Sequence, residues 1–270
     1  MPTSDRDDAS PAILESTGEV DGIPVRWAAP DAPVGMALWL THLGGSAEQT
    51  RPRLARLAGR GLLALSFDPA GHGGRGNGGD PYDLARTVFA AFRRRMWPLA
   101  GRTVLEALRV LDWADRQFGI AGDRVIGGVS MGGDVAVALA GIDARITRVA
   151  ALVATPDWTR PGMRELGGRA LLGQGKADRY AQWFFDAFDP ATHLDAYRRD
   201  LAIKFLCAAN DQHVPAKAAL RFREALGKRV TVELYDGLDH LGAAQDERLY
   251  AAACAWLAPG SNRGAFSPDR

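Results

Sequence analysis

The chain has 270 residues, 47% of them hydrophobic, and its 33 Lys and Arg nearly balance 32 Asp and Glu for a formal net charge of +1. That balance excludes the basic footprint of a nucleic-acid or anionic-membrane binder, and the apolar runs are too short to span a bilayer, so the expected partner is a neutral small molecule. α/β chains of this length commonly form one domain carrying an insertion.

From Met1 to Ser10 the chain is polar and acidic and lacks the apolar stretch of a secretory signal, which points to a cytoplasmic protein. Residues 1–20 read as an amino-terminal extension, partly disordered, ahead of a main domain over 21–258. Strand-length apolar runs then alternate with helix-period stretches, the pattern of a mainly parallel sheet with crossover helices. Residues 25–28, 36–40 and 62–67 read as strands, with a helix around 52–58. Val104, Leu105, Leu108, Leu111 and Trp113 recur at near-helical spacing over 103–118, and the short apolar strand 125–129 runs straight into Ser130.

Residues 134–140 read as helix, 149–153, 203–208 and 230–235 as strands, and 247–257 as the closing helix. Residues 155–200 show no strand pattern and are rich in aromatics, including Trp158, Tyr180, Trp183 and Phe184, so they read as a small helical insertion capping the sheet. Residues 259–270 read as a disordered tail. Cys207 and Cys254 lie in apolar surroundings and read as buried thiols; two cysteines alone cannot build a structural zinc site, and no metal or cofactor is expected.

Gly128, Val129, Ser130, Met131 and Gly132 stand between a predicted strand and a predicted helix. Such a turn lifts a hydroxyl out on a strained backbone, and glycines two positions either side keep neighbouring chain from crowding it. The plainer alternative is a Gly-rich turn with an N-cap serine. A serine hydroxyl is a poor nucleophile until a base takes its proton. His240 is the best base, since it sits in a loop between the last strand and the last helix. His213 lies two residues from the preferred acid, too close along the chain to serve, and His193 reads as a capping or surface residue. Asp211, in the loop after strand 203–208, is the preferred acid, with Asp157, after strand 149–153, as the alternative. Stabilising the oxyanion needs two N–H donors: Met131, and one from the turn Thr41 to Ser46, where Leu43 is preferred and Gly44 is the close alternative.

Gly71 to Gly76 spells G-x-G-x-x-G after a strand, the pattern of a dinucleotide-binding turn. The run continues through Asn77, Gly78, Gly79, Asp80 and Pro81 as a loop instead of opening a helix, so no helix dipole backs its amides and the reading is rejected. His72 and Arg75 then organise a surface turn. Arg93, Arg94 and Arg95 read as a solvated helix face, the alternative being a site for a substrate carboxylate or phosphate.

With these residues in place, the chain resembles the α/β-hydrolase superfamily, and within it the small carboxylesterases related to dienelactone hydrolases and prolyl-oligopeptidase catalytic domains. The resemblance spans about residues 23–257 and rests on the turn His42 to Ser46, on Asp68 to Gly73, on the Ser130 turn, on Asp211 with Val214 and Pro215, and on His240. It implies a mainly parallel sheet of about eight strands with helices on both faces and a triad in the chain order Ser130, Asp211, His240. It also implies hydrolysis of a small to medium neutral carboxylic ester through an acyl-enzyme on Ser130. The family usually carries His-Gly just before the second oxyanion donor, whereas this chain has Thr41-His42. His42, Trp158 and Trp183 are candidate pocket residues, although the insertion's aromatics could equally bury its inner face. The same triad would also serve an acyltransferase, thioesterase or cyclase, and a non-catalytic ligand-binding member of the fold is the further alternative. A monomer or a homodimer fits the sequence equally.

Overall fold

The computed structural model describes residues 13–76, 80–166, 169–170 and 173–258. The tail expected over 259–270, most of the extension and the glycine run at 77–79 lie outside the described residues. The apolar runs become strands β1 (Leu14–Val20), β2 (Ile23–Ala29), β3 (Gly35–Leu40), β4 (Leu62–Phe67), β5 (Arg124–Val129) and β6 (Ile146–Leu152), followed later by β9 (Ala202–Ala208) and β10 (Val230–Tyr235). They form one eight-stranded sheet in the order β1-β2-β4-β3-β5-β6-β9-β10. β2 pairs antiparallel with both β1 and β4, and every other neighbour is parallel. Every residue of β3 and β4 is buried, as a strand covered on both faces demands; this is why these segments read as unbroken apolar runs without alternation.

Helices α1 (Arg51–Ala58) and α8 (Glu247–Leu257) cover one face, while α3 (Phe92–Phe118), α4 (Met131–Ile142) and α6 (Lys217–Leu226) cover the other. The sheet order reverses at β3, whose neighbours are β4 on one side and β5 on the other. The loops leaving β3 and β5 therefore diverge at their carboxyl ends, and a crevice opens there.

Four sequence expectations are corrected. Residues 14–20, assigned to the extension, are an edge strand that pairs along its whole length with β2; only Val20 of it is buried, so no alternation marked it. α3 begins at Phe92, not at 103, and runs through Pro98. Helix α2 (Pro81–Phe89) starts on the last residue of the run expected as a loop and continues over residues the sequence left unassigned; Asp80 caps it through Tyr82 N, with proline in the first turn. The insertion is not purely helical: besides α5 (Arg179–Phe188) and two short 3-10 turns it holds the two-residue strands β7 (Glu165–Leu166) and β8 (Arg169–Ala170). Arg93 and Arg94 tie the start of α3 to this segment, through Gln174 and Asp178 at 3.1 and 2.9 Å. Among the described residues no helix is long and apolar enough to cross a membrane, and no cluster of three or more His, Cys, Asp or Glu could hold a metal.

Candidate active site

Ser130 follows β5 directly and precedes the first residue of α4. Its φ and ψ are 53° and −119°, a conformation that costs a non-glycine residue energy and persists only where the surroundings fix it. The fixing is visible: Ser130 N donates to Leu152 O at 2.8 Å, and Asp134 N closes the first turn of α4 onto Ser130 O at 3.0 Å. Any Cβ at Gly128 would lie 2.4 Å from the Gly132 carbonyl carbon, and one at Gly132 would lie 2.4 Å from Leu40 O. Both glycines are therefore required by close backbone approach.

His240 opens the short helix α7 (His240–Gln245) after β10. Its Nε2 lies 3.0 Å from Ser130 Oγ, and its Nδ1 lies 2.7 Å from Asp211 Oδ2. Asp211 sits in the loop leaving β9, where its Oδ1 accepts from His213 N at 2.8 Å and Val214 N at 2.7 Å. The carboxylate is thus oriented by main-chain donors and leaves one oxygen for the imidazole. With Nδ1–H directed at a carboxylate, the neutral imidazole presents a bare Nε2 to the serine hydroxyl, the tautomer a general base requires. Asp157, the alternative acid, faces elsewhere: its Oδ1 accepts from Thr159 N at 3.0 Å, and its Oδ2 lies 3.4 Å from an Arg221 nitrogen.

Met131 is the first residue of α4, so its N–H has no acceptor within the helix. Leu43 lies in the turn after β3, closed by Gly45 N donating to His42 O at 3.0 Å. Both Leu43 and Gly44 line a cavity of about 370 Å³ that also holds Ser130 and His240. Only 8% of Ser130 is exposed, so its reach to a ligand is through this cavity. Phe89 from α2 with Phe92 and Met96 from α3 make its apolar wall. Of the candidate pocket residues, His42 belongs to the lining, while Trp158 and Trp183 do not. Trp158 is buried with its main-chain N–H on Asp189, and Trp183 is 57% exposed on the outer side of α5.

Three further buried residues stand at this cavity or behind it: Asp134 and Arg160, to which the sequence assigned no role, and His213, considered there only as a base. Asp134, on the apolar helix α4, accepts from Thr155 N at 2.7 Å and from Arg160 Nη2 at 2.5 Å. Arg160 reaches His213 through its other terminal nitrogen, and its guanidinium lies over the Phe92 ring at 5.1 Å. His213, set aside as a base, lies outside the Ser130–His240–Asp211 contacts, and its ring packs against that of His240. No short motif joins these residues, which are distant in sequence. Burial pushes the Cys207 thiol up to about 12 and the Cys254 thiol up to about 11, so neither competes as a nucleophile near neutral pH.

The parallel sheet reversing at β3, the strained serine after β5 and the strand-end loops bearing an acid and a base define the α/β-hydrolase fold. The solved structures it is similar to share that fold. One is TT1662 of Thermus thermophilus, 25% identical over 91% of this chain and 97% of the other, with a TM-score of 0.70. Another is a cold-adapted esterase from an Arctic intertidal metagenomic library, 19% identical over 96% and 98% of the two chains, with a TM-score of 0.61. A third, a puromycin-hydrolyzing peptidase of Mycobacterium tuberculosis, is 17% identical over 97% of this chain but 42% of its own, with a TM-score of 0.66. No family model matches the chain, and no curated protein matches it by sequence.

Proposed function

We propose that the chain is a serine hydrolase that cleaves small to medium neutral carboxylic esters through an acyl-enzyme on Ser130. The observation that carries this reading is the unbroken contact Ser130 Oγ to His240 Nε2 at 3.0 Å and His240 Nδ1 to Asp211 Oδ2 at 2.7 Å, lining a mostly apolar cavity. In this mechanism Ser130 Oγ attacks the ester carbonyl carbon as His240 Nε2 takes its proton. The carbonyl oxygen becomes an oxyanion received by the N–H groups of Met131 and Leu43, and Asp211 stabilises the imidazolium. Collapse expels the alkoxide, which takes the proton from His240. Water then attacks the acyl-enzyme with His240 again as base, releasing the acid and restoring Ser130.

The preference for neutral substrates rests on charge. Among the described residues of the lining Arg160 is the one formally charged side chain, and Asp134 pairs with it from behind. The likeness to an esterase favours ester bonds, and the likeness to a peptidase keeps amides as a comparison arm in the test. A neutral fluorophosphonate is expected to label Ser130, and Ser130→Ala is expected to lower ester turnover by about 10⁴-fold or more. Unchanged turnover in that variant defeats the proposal. Product analysis with added alcohols and amines separates hydrolysis, which gives free acid, from acyl transfer.

A further inference from the structure

Asp134, Arg160 and His213 are 2%, 2% and 3% exposed, and the mechanism above uses none of their side chains. They come from three separate places: the first turn of α4, the segment after β6 and the loop after β9. Arg160 Nη2 donates to Asp134 Oδ2 at 2.5 Å, and Arg160 Nη1 lies 2.8 Å from His213 Nε2. A guanidinium has donors only and keeps its charge in proteins. His213 Nε2 is therefore the acceptor, and the proton of that ring sits on Nδ1. Protonating His213 would break this contact and set a second cation directly against Arg160.

The ring so fixed rests on the catalytic base. The His213 and His240 centroids are 4.7 Å apart with planes at 75°. The main-chain N–H of His213 also holds Asp211 Oδ1 at 2.8 Å, so one residue touches both acid and base. Among the described residues, the charged or titratable groups facing His213 include Arg160 with Asp134 behind it, Asp211 in its own loop and His240 on α7. The Phe89 ring from α2 packs edge-on at 5.4 Å. Attack by Ser130 creates a positive charge on His240, and a second imidazolium at ring contact in a buried site would oppose it. Asp134 cancels Arg160, so the network brings no net charge to the base.

We propose that Arg160 is a positioning residue of the Ser130 site: by donating to His213 Nε2 it holds that imidazole uncharged against His240, so that a single cation forms there during attack. The inference rests on the serine-hydrolase reading and deepens it by naming what sets the charge around its base. A buried Asp134–Arg160 pair with a merely structural task would tie α4 to the segment after β6, and its loss would lower the rate at every pH alike.

The test is the rate of Ser130 modification by a neutral fluorophosphonate between about pH 5 and pH 8, the range in which imidazoles titrate. In the wild-type chain the logarithm of this rate is expected to fall on the acid side with a slope of about 1, one proton being involved. Arg160→Met with Asp134→Asn removes both charges together and takes away the donor that occupies His213 Nε2, so the slope should approach about 2. Adding His213→Gln to that background should return it to about 1, and Arg160→Lys, which keeps a cationic donor, should leave it there. A slope of about 1 in the Arg160→Met/Asp134→Asn protein overturns the proposal. A wild-type Ser130 that does not label at any pH defeats the serine-hydrolase reading and this inference with it. A measurement independent of variants and of labelling is imidazole ¹⁵N NMR of the wild-type chain: His213 should remain the neutral Nδ1–H form throughout that range, and an imidazolium signal from it overturns the proposal.

Discussion

The Ser130 turn and the seat of α5 on α3 are equally tight, but they are tight against different things. A Cβ on Gly132 would lie 2.4 Å from Leu40 O and 2.5 Å from Thr41 O, whereas one on Gly101 would lie 2.2 Å from Cδ1 of Phe184. Leu40 ends a central strand and is paired there with Gly128 of β5, and Thr41 follows it directly, so these main-chain carbonyls cannot retreat. A phenyl ring on α5 can turn, and its helix can shift with it. The chemistry is thus built from main chain that tolerates no added atom, and the insertion is held by side chains that can yield.

Gly132→Ala and Gly101→Ala make that contrast measurable and carry the largest expected effect. The first should cost about 3 kcal/mol or more of stability, or prevent folding, and should cut Ser130 labelling at least about 10²-fold. Gly101→Ala should cost about 1 kcal/mol and leave labelling within about threefold. Urea melts and probe kinetics read both. Equal losses would erase the distinction between an unyielding turn and a yielding insertion.

Phe92 sharpens the same comparison inside the cavity. Its ring stacks on Phe89 at 5.9 Å and supports the Arg160 guanidinium, so it is a side-chain wall standing against a main-chain centre. Phe92→Ala should enlarge the cavity and move kcat/KM towards longer or bulkier esters by about tenfold relative to the smallest, while costing about 3 kcal/mol of stability. A panel in which every chain length falls in proportion would make Phe92 a purely structural residue.

The same division explains what the sequence disclosed. A strained turn between a strand and a helix needs glycines at fixed offsets, and a base and an acid need loops at strand ends; both requirements are local, so Ser130, His240 and Asp211 stood out. The sheet was legible because strands buried on both faces must be apolar throughout. Edge strand β1 was not, since six of its seven residues are exposed and pair on one side only. Pro98 hid the first turns of α3, because a proline in a helix interior normally ends it. Whether the insertion's aromatics line the pocket was left open by the sequence; the wall comes from α2 and the start of α3, and among the described residues of the insertion Arg160 alone reaches the cavity. Asp134, Arg160 and His213 are joined only through space, and a pairing without a spacing rule leaves no trace in one sequence.

The smallest effect expected concerns how a side chain anchors the insertion. Asp189 is 1% exposed and accepts from Trp158 N at 2.6 Å and from Thr192 N at 3.1 Å. Burial, opposed by the Trp158 N–H and reinforced by Asp157, raises its carboxyl from 3.8 to about 7. The unfolded chain releases that proton near pH 3.8, and the folded chain keeps it to about pH 7. Between those limits the folded state binds more protons than the unfolded one, so this contribution to stability is fully present below the lower limit and is lost as pH rises through the upper. Asp189→Asn cannot ionise. The stability of the wild-type chain should therefore decline relative to the variant across that window, by about 1 kcal/mol once the site relaxes. Paired urea melts at matched pH isolate the difference from every other titrating group. A gap between the two proteins that stays constant with pH would mean that Asp189 is ionised throughout, and that the insertion is anchored by a buried carboxylate which the two N–H groups suffice to stabilise.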